Sequence, residues 1–388
     1  MPSRDFDGAL IAAAVEVPYR RKHDEAGTAG LLAQAFSAVL ARSGFTAKDV
    51  DGLGVSSFTL APDHAIDMTW RLGLSTRWNM DDCNGGASGI NMLQHAIRAI
   101  QHGDANVIVL LSGDTFAPAD FKRLVEHYNV VTRDYLRPLQ NGGPNSLFAM
   151  LTARHARRHG LTRADYGRLC VAQREWAMRN PGAVYRTSLT LDDYLRAPMV
   201  ADPLCRFDCV PVVSGANAIV VARADRVGGR PAVQVQALQS RFNHDHQDGD
   251  GLSTAMACFA DTLWRDAGAA PTQMDLACVY DDYPAMSLIQ LADLGFAPDG
   301  DLRALIARVA SQALPVNTSG GQLSAGQAGA AGGMHGLVEA ITQLQGAAGE
   351  RQLPDAALAV VSGYGMVGYR YAMCANAVVL ARTNGAPS

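Results

Sequence analysis

Between positions 81 and 89 the chain reads DDCNGGASG, which puts one thiol (Cys83), one hydroxyl (Ser88) and three glycines directly before the apolar run INMLQHAIRAI. A thiol attacks as its thiolate, and the first turn of a helix favours that anion through its unpaired N–H groups and dipole. Cys83 stands before the glycines, outside that first turn. Asp81 and Asp82 beside it raise a thiol's pKa by like-charge repulsion, so a packed strand-end residue is the better reading of Cys83. The string GASGI is not G-x-S-x-G, because Ile90 holds the last position, and a hydrolase-type serine elbow is not supported.

Other chemistry-bearing strings are weaker. GYGMVG at 363 to 368 matches G-x-G-x-x-G after a strand pattern, but a dinucleotide site needs a helix next and an acidic residue about 20 positions on. Here YRYAMCANAVVLART reads as a strand. His244, Asp245 and His246 lie too close together on one polar loop to complete a metal site, and Cys205 and Cys209 have no second pair at zinc-ribbon spacing. No metal is expected. Seven scattered cysteines, an odd number, fit reduced thiols in a reducing compartment.

The elements that must hold these residues read as α/β. Short buried-strand runs recur at 106–114, 217–225, 232–240, 276–283, 358–365 and 376–383, with helical patterns GINMLQHAIRAIQHG and GLVEAITQLQG between them. ANAIVVARAD (216–225) and ANAVVLARTN (375–384) are nearly one string, and each half carries a Gly/Ala-rich turn, a helix and a strand ending in Ser-Gly. Two similar halves follow, 1–228 and 229–388, with the boundary at VGGRP and an inserted loop subdomain at about 115–210 in the first. With 48% apolar and 18% charged residues and a formal net charge of -4, disorder and a nucleic-acid surface are not expected. No apolar run reaches the ~20 residues of a membrane span, so the reading is cytoplasmic, with no membrane insertion.

GGASG before a long helix, MVADPLCRFDCVPVVSGANAIVV, VYDDYPAMSLIQLADLGF, LPVNTSGGQLSAGQAG and VEAITQLQGAAGERQ stand in the order of the thiolase superfamily, and the chain resembles its sterol-carrier-protein branch. The resemblance covers nearly the whole chain. It implies a five-layered α-β-α-β-α subunit of two similar halves, a homodimer, and acyl-CoA thioesters as substrates, coenzyme A being part of the substrate and no cofactor being permanently bound. Gly86, Ser88, Ser319, Gly320 and Gly365 would then flank the thioester. Some members of this branch work with a small zinc-ribbon/OB-fold partner, and such a subunit is expected here.

The departures from the family are chemical. Gly86 stands where the nucleophilic cysteine of C-x-S-G belongs, Gln327 where a catalytic histidine does, and SGYGMVG has no cysteine. Tyr280, Asp281, Asp282, Tyr283 and Tyr364 bring protic groups to the loops of the family's active site. Thiolase-like aldolases resemble this solution. The resemblance therefore implies retro-aldol or aldol chemistry on a β-hydroxyacyl-CoA, with Tyr280 or Tyr364 as acid/base, Asp281 orienting a partner, and Gln327 with N–H groups near Gly86 and Gly365 holding the enolate oxygen. A tyrosine of pKa ~10 needs a lowered pKa or an aspartate partner for that role. The alternatives are acyl transfer with Cys83 as a displaced nucleophile, and a non-catalytic acyl-CoA or lipid-binding subunit.

Overall fold

A computed structural model describes residues 5–21, 26–116, 118–127, 129–139, 143–246, 248–366 and 373–383. Its strands are β1 (Ala9–Arg20), β2 (Gly52–Ser56), β3 (Trp78–Asp81), β4 (Val107–Asp114), β5 (Met199–Ala201), β6 (Leu204–Cys205), β7 (Ser214–Arg223), β8 (Val233–Phe242), β9 (Leu276–Cys278), β10 (Leu358–Gly365) and β11 (Cys374–Arg382). Nine of them run in the order β3-β2-β4-β7-β1-β8-β11-β10-β9. The first five belong to one half and the last four to the other, joined by the pair Ile11 and Val233. In both halves a parallel step (β2 with β4, β9 with β10) is followed by an antiparallel one (β4 with β7, β10 with β11).

Strands buried on both faces carry apolar residues at every position, and alternate residues serve different layers. Val107, Val109 and Leu111 of β4 pack under the helices Gly27–Ser43 and His64–Arg71, while Ile108 and Leu110 face the helices Ser88–His102 and Gly332–Leu344. That second pair of helices also receives Cys278 of β9, Val361 of β10 and Val378 of β11. The other face of the second half, with Ala277, Val360 and Val379, is covered by Met256–Ala267, Pro284–Asp293 and Leu302–Ala310. The succession is helix, sheet, shared helix pair, sheet, helix, the five layers expected.

Three expectations need correction. The run 276–283 is a strand only to Cys278, because the Val279 N–H is taken by the Asn317 Oδ1 (2.8 Å) and both polar groups of the Tyr280 backbone by Gln290, so YDDY leaves the sheet. The run 217–225 ends as a strand at Arg223, and Ala224 begins a short helix. The expected strand list also lacks β1, which occupies the centre of the order. Between β4 and β7 the chain forms the helices Pro118–His127, Pro144–His159, Arg163–Met178 and Leu191–Arg196 and the pair β5–β6. Val367 and Gly368 of GYGMVG lie outside the described residues. No helix among those described is long and apolar enough to cross a membrane.

Candidate active site

The string Ile90, Leu93, Ile97, Ile100 has helical spacing, and those side chains are buried in the shared layer. They fix the helix Ser88–His102, whose entry is the turn Gly85–Ala87. Gly86 on that turn is closed in. A Cβ built on it would lie 2.5 Å from Cζ of Tyr280 and closer still to the carbonyl of Tyr364. The ring of Tyr280 therefore fills the space into which a cysteine at this position would project. The missing nucleophile and the new tyrosine are one structural fact: at position 86, glycine is what lets the ring in.

Tyr280 is held on three sides. Its backbone is clamped by Gln290, its ring meets that of Tyr364 edge-on at 5.0 Å, and its hydroxyl oxygen accepts the Gln327 Nε2–H at 2.7 Å. The Gln327 amide thus fixes the Tyr280 oxygen as a hydrogen-bond acceptor. Asp281, next along the chain, turns the other way. Its carboxylate accepts N–H groups of Gln322 (2.8 Å) and Leu323 (3.4 Å) and so caps the turn that carries LSAGQ. It holds backbone N–H groups, and successive residues of an extended loop point to opposite sides.

Asp282 points back and receives the hydrogen bond of the Tyr364 hydroxyl. Burial pushes the Asp282 carboxyl up to about 8 and that of Asp281 up to about 7; for Asp282 the neighbouring Asp281 charge adds to this, whereas backbone donors pull Asp281 down. Tyr364 is raised well above 10, by burial first and the Asp282 charge second, and its hydrogen bond to Asp282 pushes the same way. Tyr283 stacks on Phe148 at 4.2 Å and donates to the Asn145 Oδ1 at 2.7 Å; burial raises it too.

Tyr280, Asp282, Tyr283 and Gln327 open on one cavity of about 390 Å³, otherwise walled mainly by apolar side chains, among them Phe58, Phe121, Val125, Phe148, Val210 and Val212. That is the size and character of a small-molecule site. Half of the wall comes from the insertion after β4, which thus acts as its cover. Tyr364 stands behind the cavity wall, against Asp282 and the Tyr280 ring. Gly85 lines it and Gly86 does not, the Tyr280 ring standing in front.

The remaining expected residues form the frame. Ser88 is buried, with its hydroxyl unpartnered among the described residues. Gly320 has φ 97° and is pressed against Ala177, and Gly365 against the carbonyl of Asn84, so neither tolerates a side chain. Ser319 bonds the His335 Nε2 at 2.7 Å, and the other ring nitrogen of His335 bonds the Glu16 Oε2 at 2.6 Å, tying the two halves together. Sequence reasoning missed this buried chain and gave Asp282 no role of its own. Cys83 is exposed and takes no part in the cavity wall. Among the described residues no group of three or more His, Cys, Asp and Glu could hold a metal.

Comparison with known proteins bears on the family and the fold. Residues 238–381 match a family model described as thiolase C-terminal domain-like. The chain is 32% identical over 338 residues to the 17-hydroxy-3-oxo-4-pregnene-20-carboxyl-CoA lyase of Mycobacterium tuberculosis, covering 81% of this chain and 86% of that one. It is 26% identical to the steroid side-chain-cleaving aldolase of Thermomonospora curvata, over 87% and 91% of the two chains. Among solved structures, the Ltp2-ChsH2(DUF35) aldolase superposes with a TM-score of 0.83 at 24% identity, over 96% of this chain and 97% of that one.

Proposed function

This chain belongs to the thiolase superfamily, and from that premise we propose that it is a lyase that splits a β-hydroxyacyl-CoA by retro-aldol cleavage without an acyl-cysteine intermediate. The observation that carries the reading is the Tyr280 ring in the seat of the nucleophile. The lyase and the aldolase to which the chain is similar support the same reaction class, and the apolar cavity suits a bulky acyl group.

The chemistry needs a base for the β-hydroxyl and a donor for the enolate. In the proposal the Asp282 carboxylate, steadied by the Tyr364 hydroxyl, takes the hydroxyl proton. The O–H electron pair becomes the new C=O, and the Cα–Cβ pair becomes the enolate of the shortened thioester. Tyr280 then gives its proton to that carbon, while the Gln327 amide holds the phenolate oxygen; solvent returns a proton from Asp282 to Tyr280 between turnovers. A carboxyl group whose pKa sits at about 8 can both take and release a proton near neutrality. Steady-state assay of a β-hydroxyacyl-CoA with the Tyr280→Phe and Cys83→Ala variants tests the reading: activity is expected to collapse in the first and persist in the second. The reverse pattern returns the protein to acyl transfer.

The proposal includes partners. A homodimer is favoured by β3, an edge strand flanked by a helix on which Ile66 and Trp70 are exposed, 62% and 77%. The solved aldolase carries DUF35 in its name, and a small zinc-ribbon/OB-fold subunit is proposed for this chain as well. Light scattering is expected to give twice the chain mass, and Trp70→Asp to lower it to one.

A further inference from the structure

Tyr280 is pinned through its neighbours in sequence as well as by its own contacts. The Val279 N–H before it donates to the Asn317 Oδ1 at 2.8 Å, and the Asp281 carboxylate after it accepts the Gln322 N–H at 2.8 Å. Those two anchors, Asn317 and Gln322, are 3% and 1% exposed. Each has one side-chain atom left over. The Asn317 Nδ2 and the Gln322 Oε1 are buried and, among the described residues, have no hydrogen-bond partner. A buried donor and a buried acceptor both cost free energy until something satisfies them.

Both residues line a second, small cavity of about 10 Å³. Its wall is the stretch 278–281 on one side and the first residues of the helix Gly332–Leu344 on the other. Tyr280 borders both this cavity and the larger one. The volume admits one water molecule and nothing larger, and a buried water needs two to four polar partners. The Asn317 amide is fixed by its Oδ1, so it presents Nδ2–H as a donor, and Gln322 presents an acceptor. A donor together with an acceptor suits a molecule that is both, which an ion is not. Ser319, whose Oγ lies 2.7 Å from the His335 Nε2, stands in the same lining and offers a third partner.

The small cavity also meets the turn that carries Gln327. A Cβ on Gly332 would collide with the Gln322 Oε1 and come within 3.2 Å of the Gln327 Cγ, so glycine there leaves one gap shared by the two glutamine side chains. Gln327 is the residue that donates to the Tyr280 oxygen.

We propose that one water molecule is bound between Asn317 and Gln322 as a permanent part of the site, closing a ring through Val279, Asn317, the water, Gln322 and Asp281 that holds Tyr280 in place. Asn317 and Gln322 are positioning residues and touch no substrate. The effect on turnover rests on the lyase reading above; the water site does not.

The test uses the full chain. A wild-type crystal structure at about 1.5 Å is expected to show one ordered water about 2.7–3.2 Å from both the Asn317 Nδ2 and the Gln322 Oε1. A dry cavity, or a water that meets neither atom, overturns the proposal. Gln322→Met keeps the length of the side chain and removes the acceptor, while the milder Gly332→Ala keeps Gln322 and pushes its amide aside. Crystal structures of both variants should lack the water. In assays with a β-hydroxyacyl-CoA both should lower kcat about tenfold and leave KM within about twofold, because Tyr280 shifts while the wall of the larger cavity stays. A folded variant that lacks the water and turns over at the wild-type rate overturns the positioning role. A rise in KM with kcat unchanged does so too. The water in place, without cleavage by the wild type, keeps the site and removes the proposed reaction.

Discussion

The two halves use one plan at their glycine turns and opposite plans at the strand ends beside them. Asn217 of β7 in the first half donates to the carbonyl of Ala331 in the second, at 2.9 Å, and Asn376 of β11 in the second donates to that of Ala87 in the first, at 2.8 Å. The near-repeat ANAIVV/ANAVVL is thus a reciprocal clasp. At the end of β4, buried Asp114 collects N–H and O–H groups from Ser57, Phe58, Thr59 and Ala330, all at 2.7 to 2.8 Å. Near the end of β10, buried Asp282 receives instead the hydroxyl of Tyr364. Burial raises both carboxyl groups, but the dense donor set around Asp114 works against it, whereas Asp282 rises to about 8. The difference teaches that a dense ring of donors offsets much of what burial does to a carboxylate, and that a phenol partner beside a second carboxylate offsets less of it.

The sharpest way to break this contrast is to remove the proton from the second half's loop. Tyr280→Phe keeps the ring that fills the Gly86 seat and deletes only the hydroxyl, so kcat should fall by about 10² or more with the fold intact, as turnover and circular dichroism would show. Gly86→Cys supplies a thiol at the first position of the C-x-S-G pattern. Because the new side chain and the Tyr280 ring cannot share the space, the variant is expected to lose cleavage, gain no acyl transfer, and unfold about 1–3 kcal/mol more easily in denaturant titration.

A pH series separates the two carboxylates. An Asp282 pKa raised to about 8 in the folded chain, against ~3.9 unfolded, means that the native state holds a proton the unfolded state releases. Stability is therefore greatest on the acid side of that window and declines as pH rises from about 4 to about 8. Asp282→Asn should flatten that decline in urea melts at pH 5 and 8. Asn217→Ala and Asn376→Ala test the clasp: each strands a buried carbonyl and should cost about 1–3 kcal/mol, with similar values for the two if the halves are equivalent. The smallest effect is expected for Cys83→Ala, an exposed position away from the cavity, where kcat should change less than about twofold.

Much of this was legible in the residues. Continuous apolar runs flanked by Gly and Asp marked most central strands, and Gly86, Gln327 and the absent cysteines flagged a changed reaction because each replaces a group that chemistry requires. The roles of Asp281 and Asp282 were not legible. Which of two adjacent carboxylates faces the cavity is set by anchors distant in sequence, Asn317 on Val279 and Gln290 on Tyr280. The strand β1 hid behind alanines, which pack well under a helix but carry little β preference. The chain Ser319–His335–Glu16 joins residues up to 319 positions apart, and no local pattern announces it.

The central claim is tested most directly by mixing the enzyme with a β-hydroxyacyl-CoA in the absence of free coenzyme A, then weighing both the products and the intact chain. The account predicts a carbonyl compound plus a shorter acyl-CoA in equal amounts, and a chain of unchanged mass. Cleavage that waits for free coenzyme A, with an acyl group found on one of the chain's cysteines, would contradict it.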